Sequence, residues 1–271
     1  MAVISAEGVE LNVERLAARR GTTDPPTVVF IHGMLIDTLV SGYLTLGPTL
    51  AAAGFDVVMY DQRGHGRSER LPSGYTLDDF VGDLDVVLDR LAVSGPVHLV
   101  GHSFGGTIAF HYAARRPDRV ATVSVIESEP ATDGWSRKMA LALPTAAVEF
   151  ARGDFQQWVK EEHSAYMAQR VKAASHLLNT STVAQDIPAS RVLDQEHLRS
   201  LRCPVLAIYG SESELADQEP WLKSLISTCR TVVVPDQQHW VLLAHPRMVC
   251  DLIIGWVREH HRARPGEGGG R

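Results

Sequence analysis

Five residues, Gly101-His102-Ser103-Phe104-Gly105, set the spacing G-x-S-x-G at the junction of two different hydrophobic patterns. Upstream, Val97–Val100 reads as a short buried strand, and downstream the apolar residues from Gly105 to Arg115 fall at helical spacing. A serine at such a junction sits on a sharp strand-to-helix turn, and glycines two before and two after it let the backbone fold that tightly. The turn lifts the hydroxyl above the sheet edge, while the helix N-terminus offers backbone N–H groups to a developing oxyanion. A serine hydroxyl is a poor nucleophile until a base takes its proton in the transition state. A neutral imidazole suits that task because its pKa lies near physiological pH. Of twelve histidines, His239 alone lies in a loop directly after the last strand pattern, V-V-V-P-D-Q-Q-H, and before the terminal helix. His245 is nearby but is expected at the start of that helix. His32 and His102 flank the serine site and read as hydrogen-bonded structural residues.

The elements that must hold these residues alternate along the chain. Val3–Ala6 and Val9–Ala17 read as an antiparallel hairpin. Strands follow at Thr27–Ile31, Asp56–Tyr60, Val97–Val100, Val120–Ile126, Val205–Tyr209 and Thr231–Val234, with helices expected at Tyr43–Ala53, Leu77–Leu91, Gly105–Arg115, Trp221–Ser227 and Pro246–Arg262. Near-continuous Val/Ile/Leu strands between helices indicate an α/β protein with a mostly parallel sheet covered on both faces. Between Ser128 and Arg199 the alternation stops, and apolar residues such as Met139, Leu143, Phe155, Trp158, Tyr166 and Val171 fall at helical spacing. The expected division is therefore a core of residues 1–127 and 200–262, an inserted helical cap of residues 128–199 over the serine, and a disordered tail of residues 263–271. A cap of this kind encloses a largely apolar site. Leu35, Trp135, Phe155, Trp158 and Trp240 are the candidates to line it.

These motifs, together with Thr27–Gly33 (T-V-V-F-I-H-G), Asp61–Ser68 (D-Q-R-G-H-G-R-S) and Gln238-His239-Trp240, occur in one order along nearly the whole chain. In this it resembles the α/β-hydrolase family, in its compact esterase-like branch with a helical cap. The resemblance implies an eight-stranded sheet, His239 as general base, and an oxyanion hole made by the backbone N–H groups of Met34 and Phe104. Asp61 is expected to fold the D-x-R-G-x-G-x-S loop, with Arg63 pairing either with it or with the chain near the site.

The third member of the expected triad departs from the family pattern. Most relatives carry an aspartate three residues after the glycine that ends the seventh strand, and here that position in Y-G-S-E-S-E is Ser213. Serine can accept a hydrogen bond from imidazole but supplies no charge to stabilise imidazolium. Glu212 or Glu214 could reach over from a neighbouring position. Alternatively, the acid has moved to the end of the sixth strand, V-S-V-I-E-S-E, as in a subset of the family, or there is no acid at all. Glu127 is the favoured choice because it terminates an apolar strand, where a charge without a partner is costly. Glu212 is the fallback, and Glu129 is a weaker alternative.

Ser103 in place of an aspartate excludes a covalent-alkyl route to epoxide or halide cleavage and suits acyl transfer. Cleavage of a carboxylic ester ranks first, with thioesters and lactones as close variants. Carbon–carbon bond hydrolysis, or a non-hydrolytic lyase, cyclase or ligand receptor on the same fold, are the alternatives. The 271 residues are 45% hydrophobic and 21% charged with net charge −6, and no basic stripe appears, which argues against nucleic acid or an anionic membrane as partner. A small, apolar substrate is the expected partner. Met1–Ala6 lacks a basic segment and Glu7 interrupts any apolar core, so no signal peptide is read. Cys203, Cys229 and Cys250 read as reduced, buried thiols of a cytoplasmic protein. No phosphate loop, dinucleotide motif or metal-ligand spacing is found, so neither cofactor nor metal is expected.

Overall fold

The computed structural model describes residues 2–6, 8–19 and 24–261. The expected tail, residues 263–271, lies outside them. Eight strands form one sheet: β1 (Ala2–Ala6), β2 (Val9–Leu16), β3 (Thr27–Ile31), β4 (Asp56–Tyr60), β5 (Val97–His102), β6 (Val120–Ile126), β7 (Val205–Gly210) and β8 (Cys229–Val234). Their spatial order is β1-β2-β4-β3-β5-β6-β7-β8. The β1–β2 and β2–β4 pairs are antiparallel and every other pair is parallel. All the parallel strands therefore end at one edge, which is where open α/β sheets place their ligand sites. Since β3, β5, β6, β7 and β8 are successive neighbours, the loops leaving them are neighbours too.

Alternation along each strand divides the core into two layers. Val29, Ile31, Leu99, Val123, Val125, Ala207 and Tyr209 face one layer, with α3 (Leu77–Arg90) and α4 (Phe104–Arg115) packed over it. Val28, Phe30, Val57, Met59, Val100, Leu206 and Ile208 face the other, beneath α1 (Leu39–Thr45), α2 (Gly47–Ala52) and α12 (Pro246–His260). The single helix expected over Tyr43–Ala53 is thus two. It begins earlier, where the Thr38 hydroxyl caps Leu39–Thr45, and breaks before Gly47-Pro48, because proline at the second position suits a helix start and not an interior.

Between β6 and β7 the described residues form helices only: α5 (Asp133–Ala151), α6 (Gly153–Glu162), α7 (Ala165–Thr180), α8 (Val183–Asp186) and α9 (Gln195–Arg199). The remaining helices, α10 (Glu219–Leu225) and α11 (Val241–Ala244), follow β7 and β8. The α5 helix starts on a Thr132 cap and packs against α6, α7 and α8. Among the described residues no helix is long and apolar enough to cross a membrane.

Candidate active site

Ser103 follows β5 directly, with φ 50° and ψ −122°. An L-residue at positive φ is uncommon and strained, and such conformations cluster at functional sites. The turn is held by the Ser103 N–H, which donates to the Ile126 carbonyl at 2.9 Å, and by the Gly106 N–H, which donates to the Ser103 carbonyl at 2.9 Å. The glycines of the motif have a steric cause. A Cβ at Gly101 would sit 2.3 Å from the Gly106 backbone, and one at Gly105 would sit 2.0 Å from the Ile31 carbonyl oxygen. Helix α4 can fold back over β5 and β3 only because both side chains are missing.

His239, on the loop after β8, places Nε2 3.1 Å from Ser103 Oγ. Its Nδ1 lies 3.5 Å from Glu127 Oε2. Glu127 follows β6 directly, also at φ 50°, and is fully buried. Its carboxylate has a built seat at the end of β7. The Gly210 N–H donates to Oε1, and the Ser213 hydroxyl donates to Oε2 at 2.5 Å. Ser213, the position where most relatives carry the acid, thus steadies the carboxylate that comes from the neighbouring strand. Glu212 is exposed, with its backbone N–H fixed to the Gln237 carbonyl at 2.9 Å, and does not join this group. Glu129 and Glu214 are both taken by Lys138 Nζ, at 2.5 and 3.0 Å.

A cavity of about 340 Å³ opens at Ser103. Met34, Leu35, Phe104, Trp135, Met139, Ala142, Leu143 and Ala146 line it with Leu215 and His239, and Glu129, Lys138 and Glu214 form a polar end. The lining residues 135, 139, 142, 143 and 146 share one face of α5, as i, i+4, i+7, i+8 and i+11 must. Trp135 stacks on Phe104, with centroids 6.3 Å apart and planes 7° from parallel. Of the five expected lining residues, Leu35 and Trp135 are there, while Phe155, Trp158 and Trp240 are not. Phe155 stacks on Phe150 and touches Trp158 on α6, and Trp158 and Trp240 are 50% and 52% exposed. Met139, Ala142, Leu143 and Ala146 of α5 line the cavity without being among the expected residues; their spacing marks one helix face but not where that face points. Among the described residues that line a larger cavity of about 580 Å³ between β2, α1 and α7, none is a serine, cysteine or histidine.

The remaining motif residues build the frame. Asp61 folds its loop by accepting from Asn12 Nδ2, Leu39 N and Arg67 N at 2.8–2.9 Å. Arg63 pairs with neither Asp61 nor the site. Its guanidinium forks onto Asp83 at 2.6 and 2.7 Å, because a planar fork satisfies both oxygens of a buried carboxylate. His32 accepts the Gln62 N–H at Nε2, and His102 faces Asp37 at 3.2 Å through Nδ1.

The alpha/beta hydrolase fold family model matches residues 26–246, and the chain belongs to that family. Over 242 residues it is 26% identical to a pimeloyl-[acyl-carrier protein] methyl ester esterase of Chromobacterium violaceum, covering 81% of this chain and 89% of that protein. It is 37% identical over 111 residues to a bifunctional esterase/perhydrolase of Acinetobacter calcoaceticus, a match covering 41% of this chain and 39% of that protein. Among solved structures, the enol-lactonase of Burkholderia xenovorans superposes with TM-score 0.73 at 21% identity, over 95% of this chain and all of that one. At these identities the structural likeness speaks for the fold alone.

Proposed function

We propose that this protein is a serine hydrolase that cleaves a small, largely apolar carboxylic ester, or a related thioester or lactone, through an acyl-enzyme on Ser103. The observation that carries this reading is the unbroken line Glu127 Oε2, His239 Nδ1, His239 Nε2, Ser103 Oγ, at 3.5 and 3.1 Å, beside a cavity with mostly apolar walls. In this reading His239 carries its proton on Nδ1, facing Glu127, so Nε2 is free to take the serine proton as Oγ attacks the carbonyl carbon. The tetrahedral oxyanion rests on the N–H groups of Met34 and Phe104, the latter at the start of α4. Imidazolium formed in this step is stabilised by Glu127, whose charge Gly210 and Ser213 already hold in place. Collapse expels the alcohol with the proton from His239, and water repeats the sequence to free the acid. Helices α5–α9 act as the cap, with α5 supplying the apolar wall that selects the acyl or alcohol part. The esterase names of two relatives that match the chain by sequence point the same way.

The test is hydrolysis of p-nitrophenyl esters across acyl lengths, together with labelling by a fluorophosphonate, on the wild type and on Ser103→Ala. Ester turnover and a covalent adduct that both vanish in the variant are expected. A folded wild type inert to every ester and to the fluorophosphonate would overturn the reading in favour of a binding or lyase role.

A further inference from the structure

We propose that Asp37 and His65 are positioning residues that together aim the Met34 N–H at the reaction's oxyanion. This rests on the hydrolase reading above and assigns work to two side chains that the triad does not use.

The difficulty they resolve is local. An oxyanion donor is effective only if its N–H is fixed before charge develops. Met34 lies in the loop between β3 and α1, just after Gly33, so no strand or helix ladder fixes its peptide. The peptides on either side of it are both pinned. The Gly33 N–H donates to Asp37 Oδ2 at 2.7 Å, and the Leu35 N–H donates to His65 Nε2 at 2.9 Å. Leu35 is itself at φ 64°, a conformation a leucine does not hold without such restraint.

Each clamp is in turn fixed from behind. His65 is buried, and its Nδ1 lies 2.9 Å from the Arg63 carbonyl, which leaves the Nε2 lone pair for Leu35. Burial pushes the His65 pKa down to about 3, which keeps the ring neutral and able to accept. Asp37 Oδ1 accepts the Thr38 N–H at 2.8 Å, while Oδ2 lies 3.2 Å from His102 Nδ1. Although burial works against it, hydrogen bonds from His102 and Gly33 hold the Asp37 carboxyl below the usual carboxylate range. His102 directly precedes Ser103. One carboxylate therefore ties the loop after β3 to the last residue of β5, beside the two segments that would supply the two oxyanion donors.

The experiment compares variants that remove the acceptor, Asp37→Ala and His65→Leu, with variants that keep one, Asp37→Asn and His65→Gln. Turnover of a p-nitrophenyl ester is expressed per serine titrated with fluorophosphonate, and affinity for phenylboronic acid reports tetrahedral-adduct binding. Removing either acceptor is expected to lower kcat about 10- to 100-fold with KM within about threefold, less than deleting a donor outright. Boronate affinity should fall by a matching factor, and the acceptor-keeping variants should recover most of both. Unchanged kcat per titrated serine, or equal losses in both kinds of variant, would overturn the clamp while leaving the hydrolase intact. A wild type that neither labels nor turns over would overturn both.

Discussion

Two adjacent parallel strands, β5 and β6, end in the same unusual way. Ser103 and Glu127 each follow the last strand residue directly, and each sits at φ 50°. Yet only one of these ends carries a glycine signature. After Ser103 the chain turns straight back into α4, so its backbone passes against β5 and β3 and tolerates no Cβ at Gly101 or Gly105. After Glu127 the chain leaves the sheet toward α5, and the close contact there is of Ser128 with Gly106 of α4, where a Cβ would lie 2.5 Å from Ser128 Oγ, so the glycine it requires again belongs to the Ser103 turn. What holds Glu127 is polar: the Glu127 N–H on the Ile208 carbonyl at 2.9 Å, and the Gly210 N–H and Ser213 hydroxyl on its carboxylate. Both backbones are pinned by an N–H bond to the neighbouring strand, but close packing of α4 adds to the support of Ser103 and hydrogen bonds to the side chain add to that of Glu127, and only the packing leaves a short motif.

The two ends should differ when broken. Ser103→Ala, which removes the proposed nucleophile, should lower kcat by about 10⁵-fold or more with Tm nearly unchanged. Glu127→Gln keeps the shape but removes the charge facing His239, and should cost about 10³- to 10⁴-fold in kcat. Steady-state ester kinetics on both variants check this, and Glu127→Gln activity within tenfold of wild type would remove Glu127 from the role of catalytic acid. The packing support is probed by Gly105→Ala. Its Cβ would meet the Ile31 carbonyl, so a loss of about 2–3 kcal/mol is expected in urea unfolding. A near-neutral result would mean that the turn is looser than its contacts indicate.

The same contrast explains what could be read from the chain. The sheet and the Ser103 turn were legible because strand runs and close-packing glycines are local patterns, and His239 was legible from its place after the last strand. Glu127 could be named as a strand-terminal charge, but its seat could not. Gly210 and Ser213 lie more than eighty residues away, and nothing in Y-G-S-E-S-E announces that its serine serves a neighbour's carboxylate. Phe155 and Trp158 misled for another reason. Helical spacing shows that a helix has an apolar face without showing which helix turns that face to the cavity. Here α5 does so, while the α6 aromatics pack against one another.

Buried histidines carry the comparison into pH. Burial depresses His65 and His98 to about 3, while an unfolded histidine titrates near 6.5. Between these values the unfolded chain binds more protons than the folded one, so stability rises with pH. It is full above about 6.5 and falls as the pH drops toward 3, by up to about 1.4 kcal/mol per pH unit for each ring. Urea midpoints should therefore decline steadily from pH 7 to pH 4. His98 Nδ1 lies 2.9 Å from Thr122 Oγ1, far from the serine, so His98→Asn should flatten that slope without moving kcat at pH 7. An unaltered slope in the variant would show that other groups govern acid unfolding.

The smallest effect is the sharpest test of where the acid lies. Glu212 and Glu127 carry the same functional group near the same histidine loop, and in the sequence only the apolar strand that Glu127 ends favours one over the other. Their surroundings do: Glu127 is fully buried with two donors on its carboxylate, whereas Glu212 is exposed. An exposed carboxylate has its charge largely screened by water and salt before it reaches an imidazole. Glu212→Gln should therefore change kcat by less than about twofold and stability by less than about 0.5 kcal/mol. Kinetics of Glu127→Gln, Glu212→Gln and the double variant then form a closed cycle. If the double variant is no worse than Glu127→Gln, the acid belongs to β6 alone. A further tenfold loss on adding Glu212→Gln would mean that the seat at Gly210 and Ser213 holds only part of the charge His239 uses.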